Sequence, residues 1–156
     1  MMRFGPVLAA IMIGSTVIPV PAAAQATQQR VAEHLDPRVA FVVTGGEWQH
    51  GDEGGTVRII VLSGGFEHLT SLLFVQWLAT DPDSVFPRVL RTEEVREFTM
   101  SSWALTDPRI VWRGRKWFVT VNGADSHMTP LRSARWRLDV GVPGEVHLSR
   151  LPARTS

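Results

Sequence analysis

Among its 156 residues the chain has no cysteine and no tyrosine, and a single lysine, Lys116. Without cysteine there can be no disulfide, no thiol nucleophile, no thiolate-bound zinc and no lipid-modified cysteine at a processed N-terminus. The core must then be held by packing and hydrogen bonds alone. The sequence also lacks a Gly-x-Ser-x-Gly elbow, a glycine-rich phosphate loop and a His-Glu-x-x-His pair. Those gaps remove the motifs of α/β-hydrolases, P-loop nucleotide enzymes and zinc peptidases, and no cofactor is expected.

What is present begins with a leader. Met1, Met2 and Arg3 precede an apolar run over residues 4–20, followed by Pro21 and Ala22-Ala23-Ala24-Gln25-Ala26. A short positive start, an apolar centre and an Ala-x-Ala exit describe a secretory signal peptide over residues 1–26. A membrane-spanning helix needs about 20 apolar residues, whereas this run is shorter and contains Gly14 and Pro19. Cleavage is expected after Ala24 or after Ala26, leaving Gln25 or Thr27 first, with no membrane span in the product. The expected location is the periplasm or the extracellular space.

Removing Arg3 leaves 15 basic and 15 acidic residues. A formally neutral chain gives no reason to expect a nucleic-acid partner. The neutrality is unevenly distributed. Over residues 27–108 six arginines face twelve acids, a balance of −6, and over residues 109–156 nine bases face Asp125, Asp139 and Glu145, a balance of +6. If strands from the two halves pair, opposite charges become neighbours on solvated faces. The sharper reading is a basic patch for an anionic component of the cell envelope.

Residues 27–37 are polar, and Asp36-Pro37 breaks their weak helical spacing, so a flexible segment is expected there. Residues 38–153 read as one β-rich domain. Residues 38–44 are apolar on both faces, the pattern of a buried strand, and Gly45-Gly46 is expected to interrupt it. Residues 50–55 form a turn cluster, and residues 56–63 resume as a strand with Val57, Ile59 and Val61 on one face. The run over residues 66–79 is ambiguous between a helix and a strand, residues 72–79 fitting a strand buried on both sides, with strand favoured, and residues 96–105 read as a further strand. The segment over residues 90–98 also admits a helix.

Two hairpins have readable registers. Gly114-Arg115 suits a two-residue turn, which sets Trp112 opposite Trp117, Ile110 opposite Val119, and Arg113 against Lys116. In the last hairpin, matching apolar faces requires Val140 opposite Val146 and Leu138 opposite Leu148, and therefore an odd-length connection. Seven to nine strands follow, in an antiparallel sandwich or small barrel, with an α+β sheet as the alternative.

The candidate binding residues are Trp48, His50, Glu67, His68 and Trp103. His50 lies with Asp52 and Glu53 in a glycine-rich loop, a loose set of metal-capable ligands. Glu67 and His68 follow a Gly-Gly bend between apolar runs, a composition suited to the mouth of a pocket. Trp48 and Trp103 have polar neighbours and are expected to be partly exposed, as indoles that hold sugars or partners are. Asp125-Ser126-His127 contains the residue types of a hydrolytic triad, but adjacent residues cannot aim at one another in that relay, so a local turn is expected. The chain as a whole reads as an exported protein of bacterial type, a non-catalytic binding or structural domain engaging an envelope protein or small ligand. The alternative is a small secreted enzyme or ligand carrier with a site near Glu67 and His68.

Overall fold

The computed structural model describes residues 33–64, 70–125 and 127–152. The leader and most of the expected flexible segment lie outside the described residues, as do Glu67 and His68. Every described strand falls within one compact unit that begins at Asp36.

Eight strands form two four-stranded antiparallel sheets, each a simple meander. The first contains β1 (Val39–His50), β2 (Glu53–Gly64), β3 (Thr70–Ala79) and β4 (Arg88–Glu94). A single helical turn, α1 (Arg96–Thr99), leads to the second sheet of β5 (Trp103–Arg113), β6 (Lys116–Asp125), β7 (Arg132–Val140) and β8 (Val146–Leu151). Among the described residues no ladder joins the sheets, so there is no closed barrel.

One core lies between the sheets. Strict alternation along β2 and β3 turns Val57, Ile59, Val61, Leu73, Val75 and Trp77 inward, all fully buried, against Val119, Val121 and Leu138 of the second sheet. Burying each such side chain contributes about 1.5–3 kcal/mol. Residues 70–79 are therefore a strand, buried on one face over most of its length, since Leu72, Phe74 and Gln76 are only partly covered and the second face closes only at Leu78. Trp136 collects Phe98 and Trp103 edge-on, at centroid distances of 5.2 and 4.7 Å.

Four expectations need correction. Residues 38–44 are not buried on both faces: β1 is an edge strand, and Phe41 and Val42 are exposed. Gly45-Gly46 does not end that strand. It makes a bulge, with Gly46 at φ 69°, and glycine is required there because a Cβ would sit 2.6 Å from the Trp117 indole. The turn after β1 is only Gly51-Asp52, since Gly54 and Gly55 already pair in the β1–β2 ladder. Residues 96–105 are not one strand, because α1 buries Phe98 in the core before β5 begins at Trp103.

Both hairpin registers are observed. Gly114, at φ 62°, opens the β5–β6 turn, with Trp112 opposite Trp117 and Arg113 opposite Lys116. The β7–β8 ladder pairs Val140 with Val146 and Leu138 with Leu148, joined by the five residues 141–145.

Direct contacts fasten the sheets together. The buried Ser71 hydroxyl accepts the Leu105 N–H at 2.9 Å, the Trp117 indole donates to the Glu47 carbonyl at 2.8 Å, and the Trp77 indole donates to the Gly141 carbonyl at 3.0 Å. The β1–β5 seam is close, with Ile110 lying against Gly45. Opposite it, β4 and α1 stand apart from β8 across an open cleft of about 690 Å³.

Candidate functional site

The separation of the sheets decides where the charge goes. Because β1–β4 pair only with one another and β5–β8 only with one another, the −6 and +6 parts of the chain stay on separate sheets except for residues 103–108, which begin β5. The expectation that strands from the two halves pair holds only for residues 103–108 at the start of β5: otherwise each meander closes its own ladders, and residues 95–102 carry the chain from one sheet to the other.

In the second sheet Val119, Val121, Trp136 and Leu138 face the core. Their neighbours in the alternation face outward, placing Arg109, Arg113, Lys116, Arg135 and Arg137 on one outer face with Asp107 and Asp139. Phe118 belongs to that outer face yet is buried, because the Arg137 guanidinium lies 4.2 Å and the Arg113 guanidinium 5.5 Å from its ring centre. Two arginines thus form a cationic roof over an aromatic ring.

The cations differ in how they are compensated. Arg109 Nε donates to Asp107 at 2.6 Å, and Arg137 Nε donates to Asp139 at 2.9 Å. Among the described residues Arg113, Lys116 and Arg135 have no carboxylate within ion-pair distance. A bulge at Asp107, whose φ is 52°, rephases β5 so that both Thr106 and Arg109 stay on the outer face. As a result Thr106, Asn122, Arg135 and Leu151 stand in register, one from each strand. They line a groove of about 510 Å³.

The residues singled out in the sequence are not brought together. Trp48 is buried, 5% exposed, with its indole donating to the Thr56 carbonyl at 3.2 Å, so its expected partial exposure is corrected. The edge of the core takes the ring because the bulge at Gly46 turns the strand inward. His50 is exposed at the β1–β2 turn opposite Glu53, whose carboxylate meets Arg88 at 3.3 Å. Trp103 is partly buried against Trp136, with Arg150 5.7 Å from its ring centre. The exposed indole is Trp112, at 49%. Among the described residues no group of three or more histidines and carboxylates is placed to hold a metal.

Asp125 and His127 form a local turn. The Ser102 hydroxyl at 2.7 Å and the His127 backbone N–H at 3.1 Å both donate to Asp125, and they hold its carboxyl below the usual carboxylate range. At the start of β1 the side chain and backbone N–H of Arg38 pull Asp36 down to about 2.

The sequence did contain a signal for the outer-face cations. Period-two alternation over residues 132–140 already sets Arg135 and Arg137 opposite Trp136 and Leu138. It does not contain the register that sets Thr106 opposite Asn122 in the row with Arg135, because that depends on the bulge in β5.

Fold and site together define an antiparallel β-sandwich of two meanders with a cationic outer face on its second sheet. No protein-family model, curated protein or solved structure matches this chain.

Proposed function

We propose that this is an exported, non-catalytic binding domain of the periplasm or cell envelope, and that it engages an anionic envelope component through the outer face of its second sheet. The observation that carries this reading is the sorting of charge by sheet, which gathers Arg109, Arg113, Lys116, Arg135 and Arg137 on one surface. A face on which five cations outnumber Asp107 and Asp139 raises the local concentration of anions and orients the molecule toward them. The leader-like composition of residues 1–26 supports export.

The test has two arms. Expression of the full chain in a bacterial host, followed by fractionation and N-terminal sequencing, is expected to recover periplasmic or secreted protein beginning at Gln25 or Thr27. The purified protein is then applied to immobilised anionic envelope polysaccharide at about 50 mM and 500 mM salt, where charge-driven retention weakens as screening rises. The triple reversal R109E/R135E/R137E should abolish retention, while R58E on the other sheet should leave it intact. Equal retention of the triple variant, or recovery of unprocessed cytoplasmic protein, overturns the proposal.

A further inference from the structure

Within the cationic face one place is equipped to recognise a particular chemical group. We infer that the groove formed by Thr106, Asn122, Arg135 and Leu151 is a binding site for a carboxylate-bearing sugar of an acidic glycan; the inference rests on the envelope-binding reading above and narrows it to one site and one ligand class.

The four residues form a transverse row across β5, β6, β7 and β8. Adjacent strands are spaced by about 4.8 Å, so the row presents a hydroxyl, an amide, a guanidinium and an aliphatic side chain in sequence over a length suited to a short oligosaccharide. The groove volume of about 510 Å³ falls within the range of small-ligand sites, roughly 300–1,000 Å³.

Charge availability and position together single out Arg135, since Arg113 and Lys116, likewise without an ion pair among the described residues, flank the β5–β6 turn and do not line the groove. On the same face Arg109 and Arg137 already hold Asp107 and Asp139, so an incoming anion must displace an internal carboxylate to use either. Arg135 has no such competitor among the described residues. Its guanidinium can offer two parallel N–H donors to one carboxylate, the geometry that gives arginine–carboxylate pairs their strength and direction. Asp107 is the carboxylate nearest this row. It is engaged by Arg109 at 2.6 Å and by the Asn122 amide at 3.3 Å, leaving Asn122 one further N–H.

The rest of the lining favours a sugar over a bare inorganic anion. Two guanidiniums line the groove, Arg135 in the transverse row and Arg150, which lies 5.7 Å from the Trp103 ring centre, and the carboxylate is assigned to Arg135 because it stands in the row. Thr106, Asn122 and Ser133 supply neutral hydrogen-bonding groups for hydroxyls, while Ala124, Leu151 and Pro152 offer apolar surface for the C–H face of a ring. A compact phosphate would use the guanidinium and leave those groups idle.

The test is a titration of the full protein, uniformly labelled with nitrogen-15, with a glucuronate-containing tetrasaccharide. A neutral tetrasaccharide of glucose and inorganic phosphate serve as the comparison probes. The glucuronate probe is expected to shift the amides of Thr106, Asn122, Arg135 and Leu151 first. R135A should weaken its binding at least tenfold, R135K about fivefold because charge without the planar fork is insufficient, and N122A several-fold, with R58A on the first sheet changing it less than twofold. Spectra of the free variants should retain the core resonances of Val121 and Leu138, which separates lost binding from lost fold. The inference is overturned if R135A binds like wild type, if the shifts centre on Arg113 and Lys116, or if phosphate or the neutral sugar binds as tightly. Should R135A leave binding unchanged while R109E/R135E/R137E still abolishes envelope retention, the groove fails and the broader reading stands. Should retention survive that triple reversal too, both fail.

Discussion

Trp77 of β3 donates its indole N–H to the carbonyl of Gly141 at 3.0 Å, so a fully buried side chain of the first sheet holds the loop between β7 and β8 of the second. Few single groups join the sheets so directly, and the bond does so beside the open cleft rather than at the tight β1–β5 seam. Trp77→Phe removes the donor and leaves a void, and the expected loss is about 2–4 kcal/mol. Urea unfolding followed by circular dichroism measures it; a loss below 0.5 kcal/mol, on the scale of a surface substitution, would show that the contact holds nothing.

Gly46 and Gly114 both have positive φ but different surroundings. Nothing lies near a Cβ on Gly114, whereas a Cβ on Gly46 would overlap the Trp117 indole, whose N–H is bonded to Glu47. Gly114→Ala should therefore cost only the backbone term, about 1–2 kcal/mol. Gly46→Ala adds overpacking and should cost about 3 kcal/mol or more. Equal losses in thermal unfolding would contradict the packing seen at the β1–β5 seam.

Arg113 and Lys116 face each other across the β5–β6 turn, and among the described residues neither has a carboxylate within ion-pair distance. Lys116→Glu converts a like-charge pair into an opposite one and is expected to raise stability by about 0.3–0.5 kcal/mol at low ionic strength. The gain should fade near 1 M salt, where exposed charges are screened. The same change should weaken retention on anionic polysaccharide. A stability gain with unchanged retention would show that this end of the face takes no part in binding.

The Asp125 carboxyl titrates below its ordinary range chiefly because the Ser102 hydroxyl donates to it, with the His127 backbone N–H second. Ser102→Ala should raise that pKa toward the usual carboxylate value, read from the Asp125 side-chain carbon by NMR. A group whose folded pKa is depressed contributes stability above its unfolded pKa and loses it as pH falls through the folded value. Wild type should therefore exceed Ser102→Ala in stability at pH 6–7, with the difference shrinking on acidification below about pH 4. A difference that stays constant with pH would assign the effect to lost packing instead.

Burial gives a spectroscopic check on the tryptophans. Trp112 is about half exposed, and Trp77 is sealed in the core. Acrylamide should quench wild-type emission with one strongly accessible component, and Trp112→Phe should remove most of it. Unchanged quenching would place the accessible indole elsewhere.

Much of the architecture was legible because alternation and turn chemistry act locally. Val57, Ile59 and Val61 announce one face of β2, and Gly114-Arg115 sets the β5–β6 register because a two-residue turn fixes which residues oppose. The odd connection over residues 141–145 follows from requiring Leu138 to meet Leu148 rather than Ser149. Arg135 and Arg137 could be placed outward on the same grounds. Trp48 could not be placed: its neighbours Glu47 and Gly46 suggest an edge, yet the bulge and the Thr56 carbonyl take its ring inside.

By itself the sequence determined the strand patterns, the hairpin registers, the absence of any thiol chemistry and the opposed charges of the two halves, since each depends on residue identity or on neighbours a few positions apart. Tertiary structure alone decided that the halves become separate sheets, so that charges free to interleave are instead gathered on one face. It also decided that β5 bulges at Asp107 and sets Thr106 opposite Asn122, which the β6–β7 ladder pairs with Arg135. The physical reason is that charge balance does not specify a pairing partner, whereas burying Trp77, Val121 and Leu138 in a common core admits only one arrangement of the sheets that carry them.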